Sequence, residues 1–272
     1  MSSSVAHPGG PDHLSVEPLA ALSDNYIWLL TAGDADTVTV VDPGDATPVI
    51  AWLDGEAGRG RRLDRILITH HHRDHTGGVT SLVERYGAEV IGPLECRSVA
   101  IDHRLGEGDV ITLFGRKVRV LHTPGHTLDH IVYLVEDATP LLLCGDTLFH
   151  AGCGRLFEGT AEQMQANFSR LRELPPSTLV FGAHEYSLAN LAFAQSVEPG
   201  NAAIDAALER ARALRDAGKP TLPSEIGRER MVNPFMRYDD PGVRKALSEH
   251  AGRVPDSDGD AFSLLREWKD HF

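Results

Sequence analysis

The sequence predicts an α/β domain followed by an all-helical C-terminal region. Three observations carry this. Short apolar runs bounded by turn residues recur as far as residue 181, amphipathic helical patterns lie between some of them, and after residue 184 only helical periodicity remains. At 272 residues and 42% hydrophobic composition the chain can bury a full core, with room for one large domain and a smaller one. The expected division is a disordered tail over 1–13, an α/β domain over 14–184 and a helical domain over 185–272.

In order, Leu14 to Leu22, Tyr26 to Thr31 and Thr37 to Val41 read as short strands separated by turn residues, and Asp42-Pro43-Gly44-Asp45 stops the third. Thr47 to Leu53 reads as a helix, and Arg65 to Thr69 as a buried strand. Gly77 to Arg85 is helical, with Val79, Leu82, Val83 and Tyr86 at helical spacing on one face. Further strands are expected at Glu89–Ile91, Val110–Phe114, Lys117–Leu121, Ile131–Val135, Leu141–Cys144 and Thr178–Phe181. Thr160 to Leu174 is an amphipathic helix turning Met164, Phe168 and Leu171 inward. Four more helices follow over 188–197, 202–217, 242–250 and 260–271. Many strands are joined by short turns, which favours antiparallel pairs over a doubly wound parallel sheet.

Composition narrows the function. The net charge of −13 repels phosphate backbones, which argues against nucleic acid as a partner. Cys96, Cys144 and Cys153 are unevenly spaced and form no CxxC pair, as in reduced intracellular proteins. The first thirteen residues resemble neither a secretion signal nor a transit peptide, and no run approaches a membrane span. The expected setting is cytoplasmic, without membrane or nucleic-acid partners, and the expected state is a monomer.

The chemistry is concentrated in Ile68-Thr69-His70-His71-His72-Arg73-Asp74-His75-Thr76-Gly77-Gly78, which packs four His and one Asp into six residues after an apolar run. Imidazole and carboxylate are ligands for zinc, iron or manganese. Alternate side chains of an extended segment share a face, so His70 and His72 can hold one ion. A turn after His72 sends Asp74 and His75 to a second position. Three later segments repeat the order apolar strand, small residue, ligand: His126 in His122-Thr123-Pro124-Gly125-His126-Thr127, Asp146 in Cys144-Gly145-Asp146-Thr147, and His184 in Gly182-Ala183-His184-Glu185-Tyr186. No GxSxG serine is present and no cysteine is paired with an evident base, so water is the expected nucleophile.

The THxHxDH string, HTPGHT, GDTLF and AHEY, in this order, resemble the metallo-β-lactamase fold, and more narrowly glyoxalase II, the hydroxyacylglutathione hydrolases. The resemblance runs from Asp24-Asn25-Tyr26 to Leu265-Arg266-Glu267-Trp268-Lys269-Asp270. It implies an αββα sandwich with a C-terminal all-helical domain, and two divalent metal ions, zinc with iron or manganese as alternatives. It implies that His70, His72 and His126 hold one ion, that Asp74, His75 and His184 hold the other, and that Asp146 bridges them. Asp74 and Asp146 then carry the catalytic roles: Asp146 fixes the spacing, and Asp74 orients a metal-bridging hydroxide that attacks the thioester. The implied substrate is S-(2-hydroxyacyl)glutathione, with S-D-lactoylglutathione cleaved to glutathione and D-lactate. A thiolate leaves without a strong general acid, which suits thioesters better than amides.

Substrate contacts implied by the resemblance are Arg155 and Phe157 in the Gly-rich loop, Tyr186 after His184, and Arg266 with Lys269 three residues apart on the last helix. Glyoxalase II often has Lys and Tyr where Arg155 and Phe157 stand, so the charge is kept and a hydroxyl is lost. His71 is expected to point away from the metals. His122 and His130 read as structural or ligand-orienting, and His7, His13, His103, His250 and His271 as solvated. The alternative of the same fold is a glutathione persulfide dioxygenase using one iron. The long helical region ending in Arg-x-x-Lys favours the hydrolase.

Overall fold

The structure, a computed structural model, describes residues 14–33 and 35–272. The expected tail over 1–13, with His7 and His13, lies outside the described residues. Contacts divide the chain into two compact units. The first runs to His122 and takes in Asp129–Asp137, and the second comprises Thr123–Leu128 and Ala138–Phe272. Among the described residues no helix is long and apolar enough to cross a membrane.

The first unit opens with the strands β1 (Leu14–Ala21), β2 (Asn25–Ala32) and β3 (Thr37–Val41), which pair antiparallel as their short turns imply. Helix α1 (Ala46–Asp54) starts at Asp45, whose carboxylate accepts from the Thr47 N–H and so satisfies one of the first-turn donors. β4 (Arg62–Leu67) then pairs parallel with β3. Next come a single helical turn, α2 (Arg73–Thr76), and α3 (Val79–Tyr86), which ends on Gly87 at φ 67°, a conformation glycine adopts without a Cβ penalty. β5 (Glu89–Pro93) and β6 (His103–Leu105) extend the parallel run. The sheet is therefore mixed, because each crossover after β3 is long enough to return the chain to the same end.

β7 (Val110–Leu113), β8 (Arg116–His122) and β9 (Ile131–Val135) form an antiparallel meander. Phe114 and Gly115 both have positive φ (47° and 75°), the requirement of a two-residue hairpin turn that follows strand twist. Ile27, Leu29, Val38, Val40, Ile66 and Leu82 are among the fully buried core of this unit. Each such side chain contributes about 1.5–3 kcal/mol by leaving water.

In the second unit β10 (Leu141–Gly145) is buried at all five positions. A small hairpin follows, β11 (Leu148–Phe149) with β12 (Gly152–Cys153). Helix α4 (Ala161–Leu171) begins with a reciprocal cap between Thr160 and Gln163 and buries the expected Met164, Phe168 and Leu171. It leads to β13 (Leu179–Gly182), parallel to β10. The helical region is α5 (Ser187–Val197), α6 (Ala202–Asp216), then a two-residue strand β14 (Ser224–Glu225) antiparallel to β13, α7 (Ile226–Val232), a 3-10 turn at Pro234–Met236, α8 (Pro241–Ala251) and α9 (Asp258–Asp270). β14, α7 and the 3-10 turn correct the expectation of four helices and no strand after residue 184. Phe168 of α4 packs edge-on against Phe262 of α9 at 5.3 Å, and Phe235 of the 3-10 turn joins them. Truncating Phe168 to Ala would cost about 3–5 kcal/mol by opening a cavity where three elements meet.

Candidate metal centre

β4 stops at Leu67, two residues short of the expected Thr69, because the chain leaves the ladder to present its histidines. The backbone groups of Ile68 and Thr69 are nevertheless all paired. The Ile68 N–H donates to the Ile91 carbonyl at 2.8 Å, and the Ile68 carbonyl accepts from the Tyr133 hydroxyl at 2.7 Å. The Thr69 N–H donates to Asp42 Oδ1 at 2.8 Å, and the Thr69 carbonyl accepts from the Ile131 N–H at 2.9 Å. A segment so fully paired holds His70 in place without being a strand. Burial pushes the Tyr133 phenol well above its ordinary range, so it remains a donor.

His70 is fully buried, and its ring lies 4.8 Å from that of His72 and 4.1 Å from that of His75. The turn expected after His72 is α2, which sets Asp74 Oδ2 at 3.3 Å from His75 Nε2. Gly44 permits this geometry: a Cβ there would lie 1.8 Å from the Asp74 carbonyl oxygen. Asp42, Gly44 and Asn25 form the rest of the cradle. Asn25 Nδ2 donates to Asp74 Oδ2 at 3.1 Å and to the Asp74 carbonyl at 3.3 Å. His71 turns instead to Asp129, Nδ1 to Oδ1 at 2.9 Å, and His130 stacks on the His70 ring at 4.8 Å.

In the second unit Asp146 follows β10 directly and sits between two imidazoles. His126 Nε2 is 3.3 Å from Asp146 Oδ2, and His184 Nε2 is 3.3 Å from Asp146 Oδ1. Gly154 makes room for the carbonyl of Asp146, since a Cβ would stand 1.9 Å from that oxygen. All three side chains are buried.

The hydrogen bonds decide which imidazole nitrogen faces the site. The Arg155 carbonyl can only accept, so His126 Nδ1, at 2.8 Å, must carry the proton. Asp42 Oδ2 likewise takes the proton of His75 Nδ1 at 3.1 Å. Thr69 Oγ1 spends its own proton on Asp42 Oδ2 at 2.7 Å and so accepts from His70 Nδ1 at 3.0 Å. In the neutral rings each Nε2 is then a lone pair, the form in which imidazole ligates metals. A lone pair and a carboxylate oxygen 3.3 Å apart repel unless a positive centre, a proton or a metal cation, lies with them. Hard and borderline oxygen and nitrogen donors without thiolate fit a divalent zinc, iron or manganese ion.

Around the second-unit ligands lie the residues read from the sequence as substrate contacts. Phe157 is 61% exposed and meets His126 edge-on at 5.3 Å. Tyr186 stacks on His184 at 4.7 Å and 6°. Arg155 is exposed, with Nε 3.4 Å from Asp270. Arg266 is buried at 7% exposure, donates to the Cys153 carbonyl at 2.7 Å and to Asp270 Oδ1 at 2.9 Å, and lies over the Phe235 ring. Lys269 lies over Phe193 and Phe272. Its pKa is lowered, first by burial, then by the Arg266 charge, with Asp270 opposing and Arg155 adding to the effect. Three cations thus share one carboxylate, a surplus that favours an anion.

The sequence reading missed the residues that orient the ligands. Asp42, taken as a strand stop, receives Thr69 and His75 and sits at φ 53°, a strained conformation for a non-glycine residue. Asn25 lies in the Asp24-Asn25-Tyr26 stretch, whose first two residues read as a turn. Neither has a local signal beyond turn chemistry, since their partners lie 27 to 49 positions away. All three cysteines are free and buried; Cys153 contributes its carbonyl, rather than its thiol, to Arg266. Of the histidines expected in water, His250 stacks on Trp268 at 3.9 Å.

Comparison with known proteins gives a consistent picture. The profile of the Metallo-beta-lactamase superfamily matches residues 22–184, and that of the Hydroxyacylglutathione hydrolase C-terminus matches residues 185–272. The hydroxyacylglutathione hydrolase of Chromohalobacter salexigens is 54% identical, covering 95% of this chain and 100% of that protein. The hydroxyacylglutathione hydrolase of Pseudomonas aeruginosa is 48% identical with the same coverage. Among solved structures, ETHE1 from Myxococcus xanthus superposes with a TM-score of 0.64 at 25% identity, over 92% of this chain and 89% of that one.

Proposed function

The chain belongs to the hydroxyacylglutathione hydrolases of the metallo-β-lactamase superfamily, and from that premise we propose how its side chains divide the work of cleaving S-(2-hydroxyacyl)glutathione, S-D-lactoylglutathione foremost, to glutathione and a 2-hydroxy acid. It is a thioester hydrolase of the glyoxalase II type, with the metallo-β-lactamase fold and a helical C-terminal region. The relatives that cover 95% of the chain are hydroxyacylglutathione hydrolases, which favours hydrolysis over the dioxygenase alternative. In the reading we favour, the catalytic part spans 14–184 and the substrate-binding helices 185–272.

We assign one divalent cation to His70, His72 and His126, a second to Asp74, His75 and His184, and Asp146 to both. The observation that carries this reading is the Asp146 carboxylate with an imidazole Nε2 at 3.3 Å from each oxygen. Such a pair of cations, when bound, supplies Lewis acidity that makes water a nucleophile at neutral pH and polarises the thioester carbonyl. The protein's own contribution is orientation. Asp42, Thr69 and the Arg155 carbonyl hold each Nδ1 proton away from the site, and Asn25 fixes Asp74, whose second role is to accept and aim the proton of the attacking water. Lys269 and Arg155 would take the glutathione carboxylates, Arg266 would hold the loop that bears Arg155, and Phe157 and Tyr186 would flank the thioester. Glutathione is kept reduced in the cytoplasm, which is the setting we propose.

The test pairs elemental analysis of the purified protein with thioester loss from S-D-lactoylglutathione. Asp146→Ala is expected to lose bound metal and nearly all turnover while keeping its helical content. A variant that retains both metal equivalents and hydrolyses normally would remove Asp146 from the centre.

A further inference from the structure

A second charged cleft lies in the helical region, among α6, α7 and the turn after β11. Its volume is about 270 Å³, its floor is formed by alanines of α6 such as Ala207 and Ala211, and His150, Arg210 and Arg228 are at its walls. Among the described residues no acidic side chain lines it. Among the described residues neither arginine has an ion-pair or hydrogen-bond partner. In a chain of net charge −13, two uncommitted guanidiniums facing one space call for an explanation.

His150 lines the same cleft. Its Nδ1 donates to Glu229 Oε1 at 2.6 Å, and that carboxylate is fully buried. Burial alone would push Glu229 up, but His150, the Ser224 hydroxyl and the Ala151 N–H outweigh it and hold the carboxyl below its usual range. His150 makes no hydrogen bond through Nε2 among the described residues, and this nitrogen is left for the cleft.

We propose that Arg210 and Arg228, with His150 beside them in the cleft, form a binding site for a phosphate dianion, either inorganic phosphate or a small phosphate monoester, separate from the thioester chemistry. Guanidinium forks match phosphate oxygens in charge and donor type. The volume admits a phosphate with a short carbon substituent beside the alanines of α6. Occupancy would be felt by the loop that follows Asp146. Glu229 accepts from the Ala151 N–H, Asn190 Nδ2 donates to the His150 carbonyl, and Asn233 Nδ2 donates to the Phe149 and Gly152 carbonyls.

The experiment titrates metal-loaded full-length protein with inorganic phosphate, glycerol phosphate and succinate, following binding heat and the thermal midpoint against chloride of matched ionic strength. Phosphate or its monoester is expected to bind and raise the midpoint where chloride does not. Arg210→Ala with Arg228→Ala should weaken binding by on the order of tenfold or more, because each removes a charge-assisted donor. That variant keeps wild-type thioester turnover. Undiminished phosphate affinity in the double arginine variant would overturn the proposal and assign phosphate to the metal ions. Equal binding of succinate would overturn the phosphate assignment, and no binding beyond the chloride control would overturn the site.

Discussion

Asp42→Asn is the sharpest probe of how this centre is held. The carboxylate accepts three protons: from the Thr69 N–H at 2.8 Å on Oδ1, and from Thr69 Oγ1 at 2.7 Å and His75 Nδ1 at 3.1 Å on Oδ2. An amide of the same shape has one oxygen. If the oxygen faces Thr69 Oγ1 and His75, the amide group confronts the Thr69 N–H; if it is flipped, an amide faces two donors. Either way one buried donor is left facing another, at a cost of about 1–3 kcal/mol. The thermal midpoint should fall by about 2–4 °C per kcal/mol for a chain of this size. Loss of charge behind His75 also makes its Nε2 a poorer ligand, and removing such a partner lowers metal affinity by about 10–100-fold. The assay is metal retained after dialysis against graded chelator, read beside thermal unfolding of metal-free protein. Unfolding shifted as calculated with wild-type metal retention would refute the orienting role and leave Asp42 a structural residue only.

Asn25→Ala should leave the fold intact and lower kcat, since it frees Asp74 from its 3.1 Å donor; steady-state kinetics at full metal occupancy checks this. Lys269, with its lowered pKa, sheds its proton at a lower pH than an ordinary lysine. The binding it supplies is therefore fully present at neutral pH and is lost as pH rises through that lowered value, so KM should climb on the alkaline side. Lys269→Met should raise KM at neutral pH and flatten the climb, and an unchanged pH profile would remove Lys269 from substrate binding. Arg266→Ala should lower the thermal midpoint as well as weaken substrate binding, because it leaves the Cys153 carbonyl without its 2.7 Å donor, whereas Arg155→Ala should change KM alone.

The ligands were legible because metals demand a narrow set of residue types at strand ends, and seven such residues stand out against apolar runs. The strands and amphipathic helices were legible through periodicity, to within a residue or two for most. What failed to show is what acts at a distance. Asp42 looks like a turn residue, and Glu229 like one charge in a polar stretch, yet the first orients Thr69 and His75 and the second is buried behind His150. β14 has two residues and no period to detect. Arg266 and Lys269 share a spacing, but the sequence does not reveal that one is buried against a backbone carbonyl while the other is only partly covered.

The stretch from Ala151 to Gly159 serves two masters. Its Gly154 leaves space for the Asp146 carbonyl, its Arg155 carbonyl sets the tautomer of His126, and the same few residues present Arg155 and Phe157 outward. Exchanging this stretch with that of a relative to alter acyl preference therefore cannot leave ion retention untouched. A graft lacking glycine at 154, or shifting the carbonyl at 155, would disarm the enzyme before its new selectivity could be measured.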